Sequence, residues 1–376
     1  MNVGGFLRIC VTGPVNTNQS FGGVAIFTES LADAFKELGH EVLIVTDYSE
    51  TKETIKNSSI ISVGKKSMRK NLFMHYKLRK KIIEFSPNIL ISSLEYGFVN
   101  SFIKKNIDNC TTIHYLHAFP SIRRKLIDAF FLFLGSKMIS SKSDFVISNS
   151  GLTSVINSEI FNTKSDCIIN VGLGYDFIEN LKESNVKKTP SNNEFNILYA
   201  GRLVKEKNVD FIIKGFESAT REIKDKVVKL NIVGDGPEKT NLHELVRNLG
   251  IETKVVFHGK VDPQKITNFY LESNLFISLN PHEPYGIVYL EALTSGCKII
   301  CPMTGGQMDT LIDYREYVNV VNPYDSNDIS KAIFNTIYDN NIINEPQKLI
   351  ANFSYIEVAK QIEFFIKKQI KIKSLE

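Results

Sequence analysis

The stretch His282-Glu283-Pro284-Tyr285-Gly286-Ile287-Val288-Tyr289-Leu290-Glu291-Ala292 decides how the fold of this chain is interpreted. An eight-residue offset within one helix would turn Glu291 roughly 80° away from Glu283, at about 100° per residue. Because Pro and Gly follow Glu283, we predict that Glu283 lies in a loop, before a helix that starts near Gly286 and carries Glu291 in its second turn. The free amide groups at such a helix start form a site for anions. The stretch therefore predicts a pocket for a nucleotide diphosphate, with carboxylates for hydroxyl groups.

Short strand-like runs alternate with helix-like stretches along the chain. Several of these runs are apolar on both faces, which is typical of parallel strands covered by helices. The predicted strands are Leu7–Thr12, Glu41–Thr46, Ile89–Ser93, Thr111–His117, Phe145–Ser148, Asn196–Ala200, Lys229–Val233, Lys254–His258, Leu275–Leu279 and Lys298–Cys301. This βαβ rhythm predicts doubly wound α/β domains.

Length and one polar stretch divide the chain into two domains. With 376 residues the chain is too long for one hydrophobic core in most architectures. The polar stretch Glu179–Glu194 interrupts the βαβ rhythm, and we predict that it links two domains. We therefore place one Rossmann-like domain at 1–178 and a second at 195–352, with a helix over 353–373 as a further element.

Composition and cysteine spacing exclude several classes of protein. No run of about 18 apolar residues is present, so we predict no helix that spans a membrane. Residues 1–15 lack the basic and apolar regions of a signal peptide and are interpreted as a first strand. Five cysteines without a Cys-x-x-Cys spacing argue against a disulfide framework or a zinc site, and they fit a reducing cytosol. We predict no metal ligands.

The net charge of +4 is mild, but basic residues are concentrated in one segment. Residues 65–81 contain eight Lys or Arg side chains and no acidic one, with apolar and aromatic residues between them. Such a segment can bind an anionic membrane surface, or it can be the solvated face of a helix that packs on a sheet. The apolar run Ala129–Leu134 likewise suits either a membrane surface or a buried helix. No nucleic-acid-binding signature accompanies the charges, so we predict no nucleic-acid partner.

Glycine-rich loops follow several predicted strands of the second half. Gly201-Arg202-Leu203-Val204-Lys205-Glu206-Lys207-Asn208 comes directly after the first of these strands. A fixed pair of cations such as Arg202 and Lys207 would stabilise negative charge on a ligand without a metal. Lys205 is the competing lysine. The loops after the later strands are Gly234-Asp235-Gly236-Pro237, His258-Gly259 and Gly305-Gly306.

The first half has two candidates near strand ends. The Gly22-Gly23 pair follows the first predicted strand and precedes an amphipathic helix over Ala25–Leu38, and glycine lets a ligand approach the backbone closely. His117 closes the strand that begins at Thr111, where open α/β sheets place their ligands. His114 is the alternative, and we favour His117 because of its position at the strand end.

These motifs, in this order and spacing, resemble those of the retaining glycosyltransferases of family 4, which have the GT-B fold and a Glu-x7-Glu signature. The resemblance covers essentially the whole chain and is strongest from Gly201 to Gly306. It implies that Arg202 and Lys207 hold the donor diphosphate, and that Glu291 accepts hydrogen bonds from the ribose. The catalytic residues it implies are Glu283, His117, Arg202 and Lys207. The donor-binding residues it implies are Gly22, Gly23, Gly201, Arg202, Lys207, Gly234, Asp235, Gly236, His258, Gly286, Ile287, Val288 and Glu291.

The resemblance also implies an architecture and an activity. It implies a cleft between an acceptor-binding first domain and a donor-binding second domain, with the C-terminal helix crossing back to the first. It implies transfer of a hexose or N-acetylhexosamine from a nucleotide sugar, with UDP favoured, to a saccharide hydroxyl, with retention and without a metal or other cofactor. We expect a lipid-linked acceptor in bacterial surface polysaccharide or lipopolysaccharide assembly, and a cytoplasmic enzyme at the inner face of the membrane. A nucleotide-sugar 2-epimerase and a catalytically silent GT-B partner subunit are the alternatives.

Overall fold

A computed structural model describes residues 5–16, 22–46, 54–55, 58–62, 72–118, 137–184, 193–343 and 346–373. The chain forms two compact units: unit 1 comprises Met1–Gly174 and Phe353–Glu376, and unit 2 comprises Tyr175–Asn352. The boundary expected at residue 178 falls inside a helix of unit 2. Much of the expected linker, residues 185–192, lies outside the described residues.

The described part of unit 1 contains an eight-stranded sheet in the order β3-β4-β2-β1-β5-β6-β7-β8. Its strands are β1 (Arg8–Thr12), β2 (Glu41–Thr46), β3 (Thr54–Ile55), β4 (Ser58–Ser62), β5 (Ile89–Ser93), β6 (Thr111–Leu116), β7 (Phe145–Ser148) and β8 (Cys167–Ile168). Only β3 runs antiparallel to its neighbour among these strands. The sheet extends in both directions from β1, so the chain reverses its direction of winding between β1 and β5.

Helices cover this sheet, and their ends follow local chemistry. They are α1 (Gly23–Glu37), α2 (Leu72–Phe85), α3 (Asn100–Asn106) and α4 (Gly151–Phe161). Helix α1 ends before Gly39, which adopts a φ of 90° and donates its amide to the Lys36 carbonyl. Helix α4 begins at a Ser150 cap whose side chain accepts from the Thr153 amide.

Unit 2 has a six-stranded parallel sheet in the order β11-β10-β9-β12-β13-β14 among its described residues. The strands are β9 (Glu194–Ala200), β10 (Val227–Val233), β11 (Val255–Gly259), β12 (Leu275–Ile277), β13 (Lys298–Pro302) and β14 (Val318–Val321). This is the Rossmann order, and its reversal of winding lies between β9 and β12. A ligand of such a sheet binds beyond the carboxyl ends of the strands at that reversal.

The helices of unit 2 bury a continuous apolar core against this sheet. They are α5 (Tyr175–Glu183), α6 (Val209–Glu222), α7 (Lys239–Asn248), α8 (Ile266–Leu271), α9 (Ile287–Thr294), α10 (Met308–Leu311), α11 (Ser326–Tyr338) and α12 (Pro346–Asn352). Ile197 of β9, Ile212 of α6 and Ile232 of β10 are fully buried in it. Such a packed core holds the loops at the strand ends in fixed positions.

The last helix, α13 (Tyr355–Lys373), belongs to unit 1. It packs along α1, and Glu363 accepts a 2.7 Å hydrogen bond from His40 Nε2. Phe365 meets Phe145 of β7 edge-on, with ring centroids 5.2 Å apart. The expectation that the C-terminal helix returns to the first domain is confirmed.

The predicted fold class and strands are largely confirmed. The α/β class with two doubly wound units is correct, and all ten predicted strands are present with bounds within two residues. Four strands were not predicted: β3, β8 and β14, which lie at sheet edges, and β4, which lies between β3 and β2. None of the helices in the described part of the chain is both long enough and apolar enough to cross a membrane.

Candidate functional site

The candidate site of unit 2 lies where the direction of winding reverses. Strands β9 and β12 are direct neighbours, with Ile197 opposite Leu275 and Leu198 opposite Phe276. Their carboxyl ends therefore lie side by side. The loop after β9 carries Arg202 and Lys207, and the loop after β12 carries Glu283.

An ion pair joins these two loops. Lys207 Nζ donates to Glu283 Oε2 at 2.6 Å, and Asn280 Nδ2 donates to the same oxygen at 2.9 Å. The Glu283 carbonyl also accepts the Gly306 amide at 2.8 Å, which fixes the backbone behind the carboxylate. The side chains of Lys207 and Glu283 keep 21% and 17% of their surface exposed. The pair is thus positioned from three loops and remains open to a ligand.

Asn208 explains why Lys207 is held in this place. Residues Lys205–Lys207 form one 3₁₀ turn, which ends at Asn208 in the left-handed region with a φ of 53°. Asparagine tolerates this conformation better than most residues. Its Nδ2 donates to the Leu279 carbonyl at 2.9 Å, so a buried side chain ties the β9 loop to the β12 loop.

Arg202, unlike Lys207, is held through its backbone and not through its side chain. Its side chain is exposed, and its guanidinium makes no hydrogen bond or ion pair to the described residues. Its backbone is fixed because the Tyr199 hydroxyl donates to the Arg202 carbonyl at 2.9 Å. Burial, followed by the nearby charge of Glu283, raises the pKa of Tyr199, so this phenol stays a donor. Arg202 is therefore a cation on a fixed backbone, with its side chain available to an anion.

Glycine allows the neighbouring loop to approach this backbone. Gly234 has a φ of 140°, and a Cβ atom there would lie 1.8 Å from the Gly201 carbonyl oxygen. Gly201 donates to the Val233 carbonyl at 3.0 Å, and Gly234 donates to the Gly259 carbonyl at 2.8 Å. The loops after β9, β10 and β11 are consequently bound to one another through their main chains.

In the Gly234-Asp235-Gly236 loop, the carbonyl and the carboxylate of Asp235 have different hydrogen-bond partners. The Asp235 carbonyl accepts the Leu203 amide at 2.9 Å, while its exposed carboxylate accepts the Gly236 amide at 2.8 Å. That hydrogen bond, together with Lys239, lowers the pKa of Asp235. The structure therefore shows Asp235 as a charge that shapes its own loop.

Helix α9 begins where the sequence predicts. Gly286 caps it with a φ of 81°, a conformation that favours glycine, and Glu291 lies in the second turn. The amides of Ile287 and Val288 make no hydrogen bond within the described ranges. Both amides belong to the helix start, so they are available to an anion.

Glu291 is half-buried and has a specific partner. Its Oε2 accepts a hydrogen bond from the Tyr270 hydroxyl at 2.9 Å. Burial raises the pKa of Glu291 to about 7, although the Tyr270 hydrogen bond acts in the opposite direction. Glu291 is therefore not a solvated carboxylate on the helix surface.

His258 stands at the end of β11 and is exposed. Its Nε2 lies 2.9 Å from Asn231 Oδ1, and its ring meets Phe269 edge-on at 4.7 Å. Partial burial lowers its pKa, while the nearby Glu272 acts the other way. The predicted place of His258 beside a nucleotide base stays a prediction.

The unit 1 candidates are His117 and the Gly22-Gly23 pair. His117 is 8% exposed, its ring stacks on Tyr115 at 4.9 Å, and its Nε2 lies 2.9 Å from Ser93 Oγ. Burial, followed by the nearby His114, lowers the pKa of His117 to about 3. Gly22 and Gly23 are exposed and lie at the start of α1.

His114 is the competing histidine. It is 4% exposed, lies within β6, and has Nδ1 3.3 Å from Ser92 Oγ. Burial lowers its pKa to about 4. Both histidines are neutral hydrogen-bonding groups at neutral pH. His117 differs in lying beyond the strand end.

Three functional neighbours were not predicted from the sequence: Asn280, Tyr270 and Ser93. Asn280 lies only three residues before Glu283, so a search for donors near the carboxylate could have found it. Tyr270 is 21 residues from Glu291, and only the rule that a buried carboxylate needs a partner points to such a residue. Ser93 ends β5, one strand away from the strand that His117 follows.

At the carboxyl ends of its strands, unit 2 presents groups that are complementary to a diphosphate and to hydroxyl groups. Two cations and the amides of α9 suit the negative charge of a diphosphate, and the carboxylates of Glu283 and Glu291 suit hydroxyl groups. In the ranges that the structure describes, no three His, Cys, Asp or Glu side chains are grouped as ligands for a metal ion. Cys297 and Cys301 are buried free thiols.

Both halves of the chain match known families. Residues 181–354 match the sequence model described as "Glycosyl transferases group 1", and residues 21–154 match "Glycosyltransferase Family 4". The two matches are adjacent, do not overlap, and together account for most of the chain.

Individual relatives agree with these matches. The alpha-monoglucosyldiacylglycerol synthase of Streptococcus pneumoniae is 33% identical over 43% of this chain, and the match spans 32% of that relative's length. The mannosylfructose-phosphate synthase of Agrobacterium fabrum is 24% identical over 82% of this chain and 77% of its own. The solved structure of Anabaena HepE in complex with UDP has a TM-score of 0.72 at 16% identity, covering 96% of this chain and 99% of that one.

Proposed function

Because this chain belongs to glycosyltransferase family 4 and has the GT-B fold, we propose that it moves a hexose or N-acetylhexosamine from a UDP-sugar to a saccharide hydroxyl. The observation that carries the proposal is the Lys207–Glu283 ion pair at the reversal of winding, at 2.6 Å. Lys207 shares the loop after β9 with the exposed Arg202, and Glu283 lies in the loop that leads to the start of α9. Anabaena HepE, which has the same fold, was solved with UDP, and this supports the choice of nucleotide.

Bond cleavage would be assisted by charge stabilisation. As the glycosidic bond to the diphosphate breaks, negative charge moves onto the departing phosphate. Arg202 and Lys207 would bind that charge, and the Ile287 and Val288 amides would add the positive end of the α9 dipole. Because Lys207 is already fixed by Glu283 and the Asn208 turn, little reorganisation would be needed at the moment of reaction.

The transfer is proposed to retain the anomeric configuration by front-face substitution. The donor phosphate would take the proton of the acceptor hydroxyl as the new bond forms on the face that the nucleotide leaves. Glu283 would hold the sugar hydroxyls near the reacting face, with Oε1 free of hydrogen bonds to the described residues. His117 is neutral at physiological pH, so it could offer a hydrogen bond but would not act as a general acid. The nucleotide sugar is the substrate, and no metal or other cofactor is invoked.

The acceptor is proposed to be lipid-linked, in bacterial surface polysaccharide or lipopolysaccharide assembly. The Streptococcus pneumoniae relative is named as a synthase of a glycosylated diacylglycerol, which supports a lipid acceptor. The basic segment 65–81 would hold the cytoplasmic enzyme at the inner membrane face. Residues 65–71 of that segment lie outside the described part, as does the apolar run Ala129–Leu134.

The described half of the basic segment forms part of α2, and its basic side chains differ. Lys77 and Lys80 are exposed. The Arg79 guanidinium lies 4.5 Å above the Phe102 ring, and Lys81 pairs with Glu84 at 2.8 Å. Lys80 therefore suits an anionic surface better than Arg79 or Lys81 does.

A thermal-shift panel tests the proposal. UDP, GDP, ADP and their common sugar conjugates are added with and without EDTA, and stabilisation by the UDP series alone, insensitive to EDTA, is expected. Stabilisation that disappears with EDTA would contradict a metal-free pocket. No stabilisation by any nucleotide would favour the catalytically silent subunit. Consumption of the donor without an acceptor, giving its 2-epimer, would favour the epimerase.

A further inference from the structure

Tyr270 is a buried residue for which the proposed mechanism has no role. It lies in α8, its side chain is completely buried, and its hydroxyl donates to Glu291 Oε2 at 2.9 Å. Burial, followed by the charge of Glu291, raises the pKa of Tyr270 well above its ordinary value. The phenol therefore stays protonated at neutral pH and acts toward the carboxylate as a donor.

The ring of Tyr270 is held from several sides. Phe276 lies 5.6 Å away between ring centroids, and Phe177 meets the ring edge-on at 5.9 Å. The Cys297 thiol donates to the Tyr270 carbonyl at 3.0 Å, which fixes the backbone as well. A ring packed in this way cannot follow a moving carboxylate. The hydrogen bond therefore sets the orientation of Glu291, and not the reverse.

The Tyr270 hydrogen bond leaves one side of the carboxylate available. A carboxylate offers about four lone-pair sites, and Tyr270 uses one of those on Oε2. Oε1 makes no hydrogen bond to any residue that the structure describes, and Glu291 keeps part of its surface exposed. The fixed Oε2 therefore determines the direction in which Oε1 faces a ligand.

We propose that Tyr270 is a positioning residue, whose hydroxyl fixes the Glu291 carboxylate so that Oε1 accepts hydrogen bonds from the ribose hydroxyls of the nucleotide. This inference rests on the proposed function, because it takes Glu291 as the ribose ligand. It adds that selection of ribose over 2′-deoxyribose depends on a phenol that does not touch the nucleotide.

The same pair links nucleotide binding to pH. Tyr270 of α8 is the titratable side chain that bonds the carboxylate, and the Cys297 thiol lies behind it, beyond the end of α9. The pKa of Glu291 is about 7, and the Tyr270 hydrogen bond lowers it. Ribose hydroxyls donate to the ionised form, so affinity for UDP falls as the pH falls through 7. Loss of the phenol would raise the pKa of Glu291 and move this fall to higher pH.

The test measures binding of UDP and of 2′-deoxy-UDP by titration calorimetry at pH 6, 7 and 8. Wild-type protein is expected to prefer UDP by about tenfold at pH 8, because the lost hydrogen bond involves a charged acceptor. In Tyr270→Phe the preference should fall to about threefold or less, and the pH at which UDP binding weakens should rise. The deoxy ligand carries the same phosphates, so comparing the two ligands removes the titration of the nucleotide itself.

Tyr289→Phe is the matched control. Tyr289 is also fully buried, lies in α9 like Glu291, and donates to a backbone carbonyl, that of Ser278, at 3.0 Å. Its loss removes a buried hydroxyl without touching the carboxylate, so the ribose preference should stay at the wild-type value. An equal loss of preference in both variants would overturn the positioning role, since it would then reflect general loosening of the core.

Failure of this inference differs from failure of the proposed function. If Tyr270→Phe binds UDP with the wild-type ribose preference and pH profile, the positioning role is wrong while the donor site stands. If the wild type binds no UDP, the proposed donor site is wrong, and the inference that rests on it is overturned as well.

Discussion

The two units share a strand order, yet the carboxyl ends of their strands carry different chemical groups. In unit 1 the strands β4-β2-β1-β5-β6-β7 follow one another as β11-β10-β9-β12-β13-β14 do in unit 2. At the reversal of winding, unit 2 places opposite charges, those of Lys207 and Glu283, 2.6 Å apart. Unit 1 places the neutral Ser93 Oγ at the end of β5, 2.9 Å from His117 Nε2.

Burial separates the two pairs as clearly as charge does. Lys207 and Glu283 keep about a fifth of their side-chain surface exposed, whereas Ser93 is fully buried and His117 almost so. A partly exposed ion pair can exchange one partner for a charged ligand, and a buried neutral pair can only offer hydrogen bonds. The winding order decides where a ligand lies, and the loop residues decide which ligand it is.

The largest effect should come from removing a charge in unit 2. Lys207→Ala is expected to lower kcat/KM for the sugar donor by about 10²–10³-fold, because a fixed cation at the leaving group is lost. The thermal midpoint without ligand should change little, since the pair is partly exposed. Release of UDP from the donor that stabilises the wild type measures the rate.

Lys205→Ala is the control for this change. Lys205 lies in the same 3₁₀ turn, is exposed, and makes no side-chain hydrogen bond to the described residues. Its removal should leave kcat/KM within about twofold, as is usual for a solvated side chain. A wild-type rate in Lys207→Ala would exclude Lys207 from the mechanism. The contrast between the charged pair of unit 2 and the neutral pair of unit 1 would then have no functional meaning.

The next largest effect should come from the close approach of two loops in unit 2. Gly234→Ala places a Cβ atom 1.8 Å from the Gly201 carbonyl oxygen, at a φ of 140°. We expect about 3 kcal/mol of destabilisation together with weaker UDP binding, because the backbone before Arg202 must move. Denaturant unfolding and calorimetry measure the two quantities.

Gly39→Ala in unit 1 is the control that distinguishes backbone strain from a steric clash. It also has a positive φ, 90°, but a Cβ atom there would have no neighbour within 4 Å. Gly39→Ala should therefore cost only about 1 kcal/mol and leave UDP binding unchanged. Equal losses in the two variants would show that the contact between the loops does not matter.

The smallest of the three effects concerns His117, which forms the neutral pair of unit 1 with Ser93. An unfolded chain takes up a proton on His117 as the pH falls below 6.5, whereas the folded chain holds it neutral down to about 3. The contribution of the neutral His117 to the free energy of unfolding is therefore fully present above pH 6.5. It is lost as the pH falls, by about 1.4 kcal/mol per pH unit. Denaturant unfolding of wild type and His117→Gln at pH 7 and pH 5 measures the difference.

We expect the wild type to lose about 2 kcal/mol more than His117→Gln between these two pH values. His282→Gln, which changes an exposed ring, should lose as much as the wild type. An identical pH dependence in wild type and His117→Gln would mean that His117 is not held neutral, and the contrast in charge would disappear.

The sequence predicts the main strands because each is a short apolar run between turn residues, as in β9 and β13. The edge strands β8 and β14 are short and less buried than β13, and their pairing depends on neighbours distant in sequence. Glu283 and Lys207 could be identified from motif spacing, but they are 76 positions apart in sequence, and the 2.6 Å contact between them depends on how the chain between them packs. Tyr270 has no motif around it, and only the fold brings its hydroxyl to Glu291.

Unit 2 interrupts unit 1 in the chain, and this has a consequence for synthesis on the ribosome. The chain leaves unit 1 after Gly174 and returns at Phe353, where the Leu173 amide donates to the Phe353 carbonyl at 2.7 Å. Helix α13, with Tyr355 against Phe27 of α1, is translated only after the whole of unit 2. A nascent chain can thus complete unit 2 while α1 still lacks its cover. During that interval, the part of α1 that α13 covers in the folded protein is exposed to solvent.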